Sequence, residues 1–107
     1  MSDAFQEREN TFEKQFVNEE TLRFRAVARR NRALALWAAE LQGMSGEAAE
    51  TYAEGFVAAN VGNSDDGVAA ALHENLARAG AELSDHRIRR RMEEETAKAL
   101  ASVKAGR

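Results

Sequence analysis

The 107-residue sequence contains no cysteine, which excludes disulfide bonds and thiolate metal sites. Proline is also absent and there are only seven glycines, so residues that break helices are scarce. No apolar run approaches the about 20 residues that span a bilayer, and the N-terminus lacks the basic and apolar regions of a signal peptide. These absences predict a cytoplasmic protein that does not insert into the membrane.

The net charge and the remaining composition limit the possible fold classes and binding partners. The net charge is −3, with 31% charged residues of both signs. Nucleic-acid binding usually requires a clear basic excess, so no nucleic-acid partner is expected. Alanine, leucine, glutamate and arginine dominate what remains, and these residues favour helices strongly. The composition therefore predicts an all-α fold with one core.

Glycines divide the sequence into four predicted helices, at about residues 3–42, 46–61, 66–79 and 85–105. Each intervening stretch holds a glycine that can end one helix and a serine or aspartate that can cap the next. Because the connections are short, consecutive helices must pack antiparallel. The expected architecture is a four-helix bundle.

Apolar residues recur at spacings of three and four in every predicted helix, which is typical of amphipathic helices. We expect Trp37 to be a central core residue and Gly55 to allow close packing beside it. The expected core residues are Phe24, Val27, Leu34, Leu36, Trp37, Leu41, Ala49, Tyr52, Ala53, Phe56, Val57, Val68, Ala71, Leu72, Leu76, Ala79, Ile88, Met92, Ala99, Leu100 and Val103.

The first helix is too long for the others to cover. At about 1.5 Å per residue it would reach about 60 Å, against about 20–30 Å for its neighbours. We therefore expect residues 1–20 to overhang as a mobile arm and residues 21–107 to form the bundle.

Three phenylalanines mark this arm as a binding surface. Phe5, Phe12 and Phe16 are spaced by seven and four residues and so share one helical face. Large apolar side chains left exposed are typical of a partner surface, so the arm is expected to become fully helical when it docks in a groove. The alternative is that the arm folds back and Phe12 and Phe16 cap the end of the bundle.

Arginines on the first helix offer a second candidate surface. They form a polar contact stripe made of Arg25, Arg29, Arg30 and Arg32, with Arg23 beside it. The stripe could contact an acidic protein, a nucleic acid or a nucleotide phosphate, or it could pair with glutamates of a neighbouring helix. No GxxxxGK[ST] phosphate loop occurs, so no sequence motif supports nucleotide binding. No cofactor is therefore expected.

Other polar groups predict structure rather than catalysis. Arg89, Arg90 and Arg91 each precede a glutamate by four residues, which predicts salt bridges to Glu93, Glu94 and Glu95 on a solvent-facing helix. Ser84, Asp85 and His86 are adjacent at a helix start, so capping explains them better than a catalytic triad does. His73 and His86 lie on different helices without the ligand spacing of a zinc site. No catalytic or metal-binding residue is therefore predicted, and the protein is not expected to be an enzyme.

Several stretches together resemble the zeta subunit of the alphaproteobacterial ATP synthase, a small inhibitor of its catalytic head. The resemblance follows the order and spacing of the family over nearly the whole chain. The matching stretches are residues 5–9 (FQERE), 12–16 (FEKQF), 28–32 (ARRNR), 36–39 (LWAA), 52–53 (YA) and 84–89 (SDHRIR).

This resemblance implies a function and a site. It implies a bundle whose N-terminal arm enters an interface of the catalytic head, formed by alpha, beta and gamma subunits, and obstructs rotation in the hydrolytic direction while allowing synthesis. The protein would then be peripheral to the inner membrane when bound, and a monomer when free. The arm positions implied are Phe5, Gln6, Arg8, Glu9, Phe12, Glu13, Lys14 and Phe16.

A different function is also compatible with the sequence. A non-enzymatic helical adaptor could bind an acidic protein or a nucleic acid through the arginine stripe. A small-molecule-binding bundle has less support, because an alanine-rich core of this size leaves little cavity volume.

Overall fold

The computed structural model describes residues 2–106, and the side chains of residues 19–106. Four helices follow one another: α1 (Ser2–Leu41), α2 (Gly46–Ala59), α3 (Asp65–Arg78) and α4 (Asp85–Lys104). Each end lies within two residues of its predicted position, and the all-α four-helix fold is confirmed. No helix in the described part of the chain is long and apolar enough to cross a membrane.

Glycines end the first three helices as predicted. Gly43, Gly62 and Gly80 have φ angles of 83°, 77° and 76°. This left-handed conformation is open to glycine without a steric penalty, and it commonly terminates helices.

Serines precede the three following helices, and two of them cap the next helix through the side chain. Ser64 Oγ accepts a hydrogen bond from the backbone N–H of Gly67 at 3.1 Å. Ser84 Oγ accepts one from the backbone N–H of Arg87 at 3.2 Å. Ser45 occupies the corresponding position before α2, but its side chain makes no capping hydrogen bond. The predicted role of Ser84 as a cap is thus confirmed.

Helix α1 is the common partner of the other three, and α3 also packs on α4. Ala26 clusters with Ala99 near one end of the α1–α4 contact, and Arg91 lies over Trp37 near the other. These pairs show that α1 and α4 run antiparallel. The main core consists of Leu34, Ala35, Ala38, Ala53, Phe56, Val68, Ala69, Leu72, Leu76, Ile88 and Met92.

Two core expectations are wrong in detail. Trp37 is only partly buried and packs at the edge of the core, where the guanidinium carbon of Arg91 lies 5.2 Å from its ring centroid. Gly55 is exposed, and a Cβ there would meet no atom within 4 Å. Gly55 does not pack beside Trp37, because Ala53 and Phe56 form the buried side of α2.

Other residues expected in the core lie at the surface. Phe24, Val27 and Leu41 are 69%, 43% and 40% exposed, and Ala79 is exposed as well. Phe24 is uncovered because α2 has only 14 residues. Helix α2 packs antiparallel to α1 after the first turn, and its C-terminal end lies near Val27.

Gly55 provides a test of this packing. Gly55→Ala is expected to raise the free energy of unfolding by about 0.5–1 kcal/mol, since glycine inside a helix is less favourable than alanine by that amount. The added methyl group meets no neighbour. Urea unfolding followed by circular dichroism measures the change.

Gly67→Ala is the matched control in α3. A Cβ at this position would collide with the side chain of Asn63, whose Oδ1 accepts a hydrogen bond from the backbone N–H of Ser64 at 3.0 Å. Displacing Asn63 is expected to cost about 1 kcal/mol, which offsets the gain from replacing glycine in a helix, so Gly67→Ala is expected not to stabilise the protein. Equal stabilisation by both alanines would contradict this account.

Candidate functional site

The predicted partner-binding residues of the arm lie outside the residues whose side chains the structure describes. This applies to Phe5, Gln6, Arg8, Glu9, Phe12, Glu13, Lys14 and Phe16. Their docking role, and the alternative that the arm folds back, therefore stay predictions. Among the described side chains, Leu22 is the first along α1 that packs against a buried cluster.

An apolar groove lies on α1 just after the predicted arm. Its walls are Phe24 and Val27 on α1, and Val57 and Val61 at the end of α2 and in the turn after it. Phe24 and Val61 are 69% and 67% exposed. The groove is thus an apolar surface that the bundle itself leaves open.

Two buried asparagines, Asn31 and Asn60, also line this groove. The Oδ1 atom of Asn31 accepts hydrogen bonds from Arg30 Nε at 3.1 Å and Nη2 at 2.9 Å. The Nδ2 group of Asn60 donates to the carbonyl oxygen of Phe56 at 2.9 Å. Because these polar atoms are already paired within the bundle, the groove presents mainly carbon to a partner.

Arg30 is the one member of the arginine stripe that is buried. Its side chain is 4% exposed, and its Nη1 lies 2.6 Å from Asp65 Oδ1. Asp65 begins α3, where the positive end of the helix dipole favours a carboxylate. The pair therefore joins the middle of α1 to the start of α3.

The other arginines of the stripe face different parts of the molecule. Arg29 Nη1 donates to Ser102 Oγ on α4 at 2.8 Å, and Arg32 Nη2 donates to Glu50 Oε2 on α2 at 2.6 Å. Arg25 is exposed. Three of the four predicted stripe residues, counting Arg30, thus contact three different helices. Only the Arg32–Glu50 contact is the pairing with a glutamate that the intramolecular alternative expects.

Helix α4 makes two of its three predicted salt bridges. Arg91 Nε lies 3.0 Å from Glu95, and Arg90 Nε lies 3.9 Å from Glu94. Glu95 is only 8% exposed, so the expectation that all three salt bridges face solvent is wrong for the Arg91–Glu95 pair.

Arg89 pairs with different carboxylates from the one predicted. It lies 2.7 Å from Asp66 on α3 and 2.9 Å from Asp85 on its own helix, so the predicted bridge to Glu93 is wrong. Hydrogen bonds to Asp66 and then to Asp85 raise the pKa of Arg89 above its ordinary value. Arg89 thus connects α4 to the start of α3 through Asp66, and Asp85 binds the same guanidinium from within α4.

The histidines do not come together. His73 Nε2 lies 4.0 Å from Glu82 Oε1, and His86 borders a shallow cleft beside Trp37. In the part of the chain with described side chains, no group of three or more histidine, aspartate or glutamate residues is placed to hold a metal ion.

A model of the family ATPase inhibitor subunit zeta matches residues 1–102. The chain belongs to this family. The match confirms the resemblance drawn from the sequence, and it covers both the predicted arm and nearly all of the bundle. Searches of curated proteins and of solved structures give no match.

Sequence reasoning about this zeta-family chain missed the apolar groove. Phe24 and Val27 were expected in the core, and Val61 was not singled out. Helix lengths could have revealed the groove. Because α2 follows α1 after a short turn, its 14 residues can reach back along α1 only about as far as Val27.

The Arg30–Asp65 pair generates a prediction about the zeta-family bundle. Asp65→Asn is expected to lower the free energy of unfolding by about 1–2 kcal/mol, because the buried guanidinium loses its carboxylate. The 74% exposure of the Asp65 side chain keeps this below the value for a fully buried pair. Urea unfolding at neutral pH measures it.

Asp66→Asn is the matched control, since Asp66 occupies the same first turn of α3. Its partner Arg89 is 45% exposed, so solvent screens the pair and a loss of no more than about 0.5 kcal/mol is expected. Equal losses for the two variants would show that the dipole of α3, and not the burial of Arg30, sets the effect.

Proposed function

We propose that this zeta-family chain inhibits ATP hydrolysis by the rotary ATP synthase and is not itself an enzyme. The arm, residues 1–20, inserts as a helix into a catalytic interface of the head formed by the alpha, beta and gamma subunits. The family match carries this proposal, because it spans residues 1–102 and so includes the arm together with the bundle.

Within the proposed interface, apolar and polar residues of the arm have different roles. Phe5, Phe12 and Phe16 are the anchors, since aromatic side chains seated in pockets supply most of the binding energy of an interface. A polar rim surrounds them, made of Gln6, Arg8, Glu9, Glu13 and Lys14. The inserted helix obstructs rotation in the hydrolytic direction and allows synthesis.

The bundle, residues 21–107, stays outside the catalytic interface in this proposal. The chain is a cytoplasmic monomer when free, and it is peripheral to the inner membrane when bound to the synthase. No cofactor or nucleic acid takes part.

The helical adaptor is the weaker candidate. It requires the stripe of Arg25, Arg29, Arg30 and Arg32 to meet a partner together. Three of these arginines bind groups of the bundle itself, so a partner would have to replace contacts on three helices. The family match includes the arm, and we therefore favour the arm as the inhibitory element.

The test is ATP hydrolysis by the purified catalytic head of the same organism, with the full-length chain or with a chain lacking residues 1–19. The full-length chain is expected to inhibit, and the truncated chain is expected not to. Equal inhibition by the two would exclude the arm as the inhibitory element. Binding by both that falls steeply with salt concentration would favour the adaptor.

Phe12→Ala tests the role of one anchor. It is expected to weaken binding to the head by at least about 2 kcal/mol, or about thirty-fold, as for a central interface residue. Asn10→Ala is the control. Asn10 precedes Phe12 by two residues, and this spacing puts it on nearly the opposite side of a helix. Titration of hydrolysis with each variant gives the affinities, and an unchanged value for Phe12→Ala would remove it from the anchor set.

A further inference from the structure

Exposed apolar side chains concentrate in the groove between α1 and α2. In the part of the chain with described side chains, four large hydrophobic residues are exposed: Phe24, Val27, Leu41 and Val61. All but Leu41 line this groove. Grouped exposure of this kind is typical of a binding surface.

The groove continues the core-facing side of α1. Leu34 is fully buried, and Val27 precedes it by seven residues, which is about two turns of the helix. Val27 lies near the end of α2, where it is 43% exposed. Phe16 precedes Val27 by a further eleven residues, about three turns, so the helical repeat assigns both positions to the same side.

We propose that this groove is a second docking surface for the catalytic head, next to the arm. The inference rests on the proposed insertion of the arm. Phe24 follows Phe16 by eight residues, about 12 Å along a helix. A protein that encloses the arm as far as Phe16 therefore reaches the groove, where it packs an apolar side chain between Phe24 and Val61.

The composition of the groove specifies the chemistry of its occupant. Phe24, Val27 and Val61 form an apolar centre, whereas Glu20 and Arg23 form a charged rim on the side of the arm. An apolar centre with a polar rim is the usual arrangement of a protein interface. A helix or loop of the head that presents an aliphatic or aromatic side chain fits this surface better than a charged one.

The position of the groove favours the head over a second copy of the chain. Glu20 and Arg23 belong both to the groove and to the junction with the arm. A second copy bound in the groove would cover the C-terminal end of the arm at Glu20. The proposed function requires the arm to be accessible to the head. The head instead meets the arm and the groove along one continuous side of α1.

The test uses the full chain with Phe24→Ser and Val61→Ser combined, and with Leu41→Ser as the control. Leu41 is also exposed, but it lies at the other end of the described part of α1. Because all three side chains are exposed, each variant is expected to keep the thermal midpoint of the wild type, measured by circular dichroism.

Binding to the head, measured by titration and by dissociation kinetics, separates the outcomes. The groove variant is expected to raise Kd at least about ten-fold, or about 1.4 kcal/mol, mainly through faster dissociation. It still inhibits fully at saturation because the arm is intact. Leu41→Ser is expected to leave Kd unchanged.

Two results would overturn the groove proposal and leave the function of the arm standing. One is an unchanged Kd for the groove variant while the wild type inhibits. The other is a wild-type dimer, seen by sedimentation, that the groove variant converts to a monomer, since a second copy would then be the occupant. If the wild type neither binds nor inhibits, the proposed function fails first, and the groove proposal fails with it.

Discussion

The length of α1 relative to its neighbours is the constraint on which the rest of the molecule depends. Helix α1 has 40 residues, whereas α2 and α3 have 14 each and α4 has 20. A helix rises by about 1.5 Å per residue whatever its sequence, so no neighbour can follow α1 to its start. Helix α4 still packs on α1 at Ala26, but α2 ends near Val27. The side of α1 that faces α2 is therefore exposed there. This uncovered apolar side is the basis of the proposed contact with the head.

Local signals in the sequence predicted where each helix begins and ends. They did not predict which parts of each helix a neighbouring helix covers. Glycine and serine determine where a helix ends through their own backbone and side-chain chemistry, so Gly62 and Ser84 could be interpreted from the sequence alone. Periodicity identified Leu72 and Ile88 correctly because α3 and α4 are covered there. It was wrong for Phe24, since a repeat shows which side of a helix is apolar and not which part of that side a neighbour reaches.

Ion pairs show the same division between local and distant information. The Arg91–Glu95 pair follows from a spacing of four residues on one helix, and it forms as predicted. The pair of Arg30 with Asp65 joins residues 35 positions apart, so it depends on where α3 begins in space. The arm is a third case, because its role was inferred from phenylalanine spacing and from the family resemblance. The match over residues 1–102 confirms the resemblance, and the role of the arm stays a proposal.

The bundle also changes the energetics of docking the arm. An isolated segment of about 20 residues forms a marginal helix in water, because the first turn fixes several residues for a single hydrogen bond. Helix α1 is held by packing from Leu22 onward, so the helix of the arm continues from a packed segment and needs no nucleus of its own. Less ordering free energy is then lost when the phenylalanines dock. The bundle thus contributes to the proposed inhibition even where it touches nothing, and the proposed contact at Phe24 adds to that effect by holding the C-terminal end of the arm against the head.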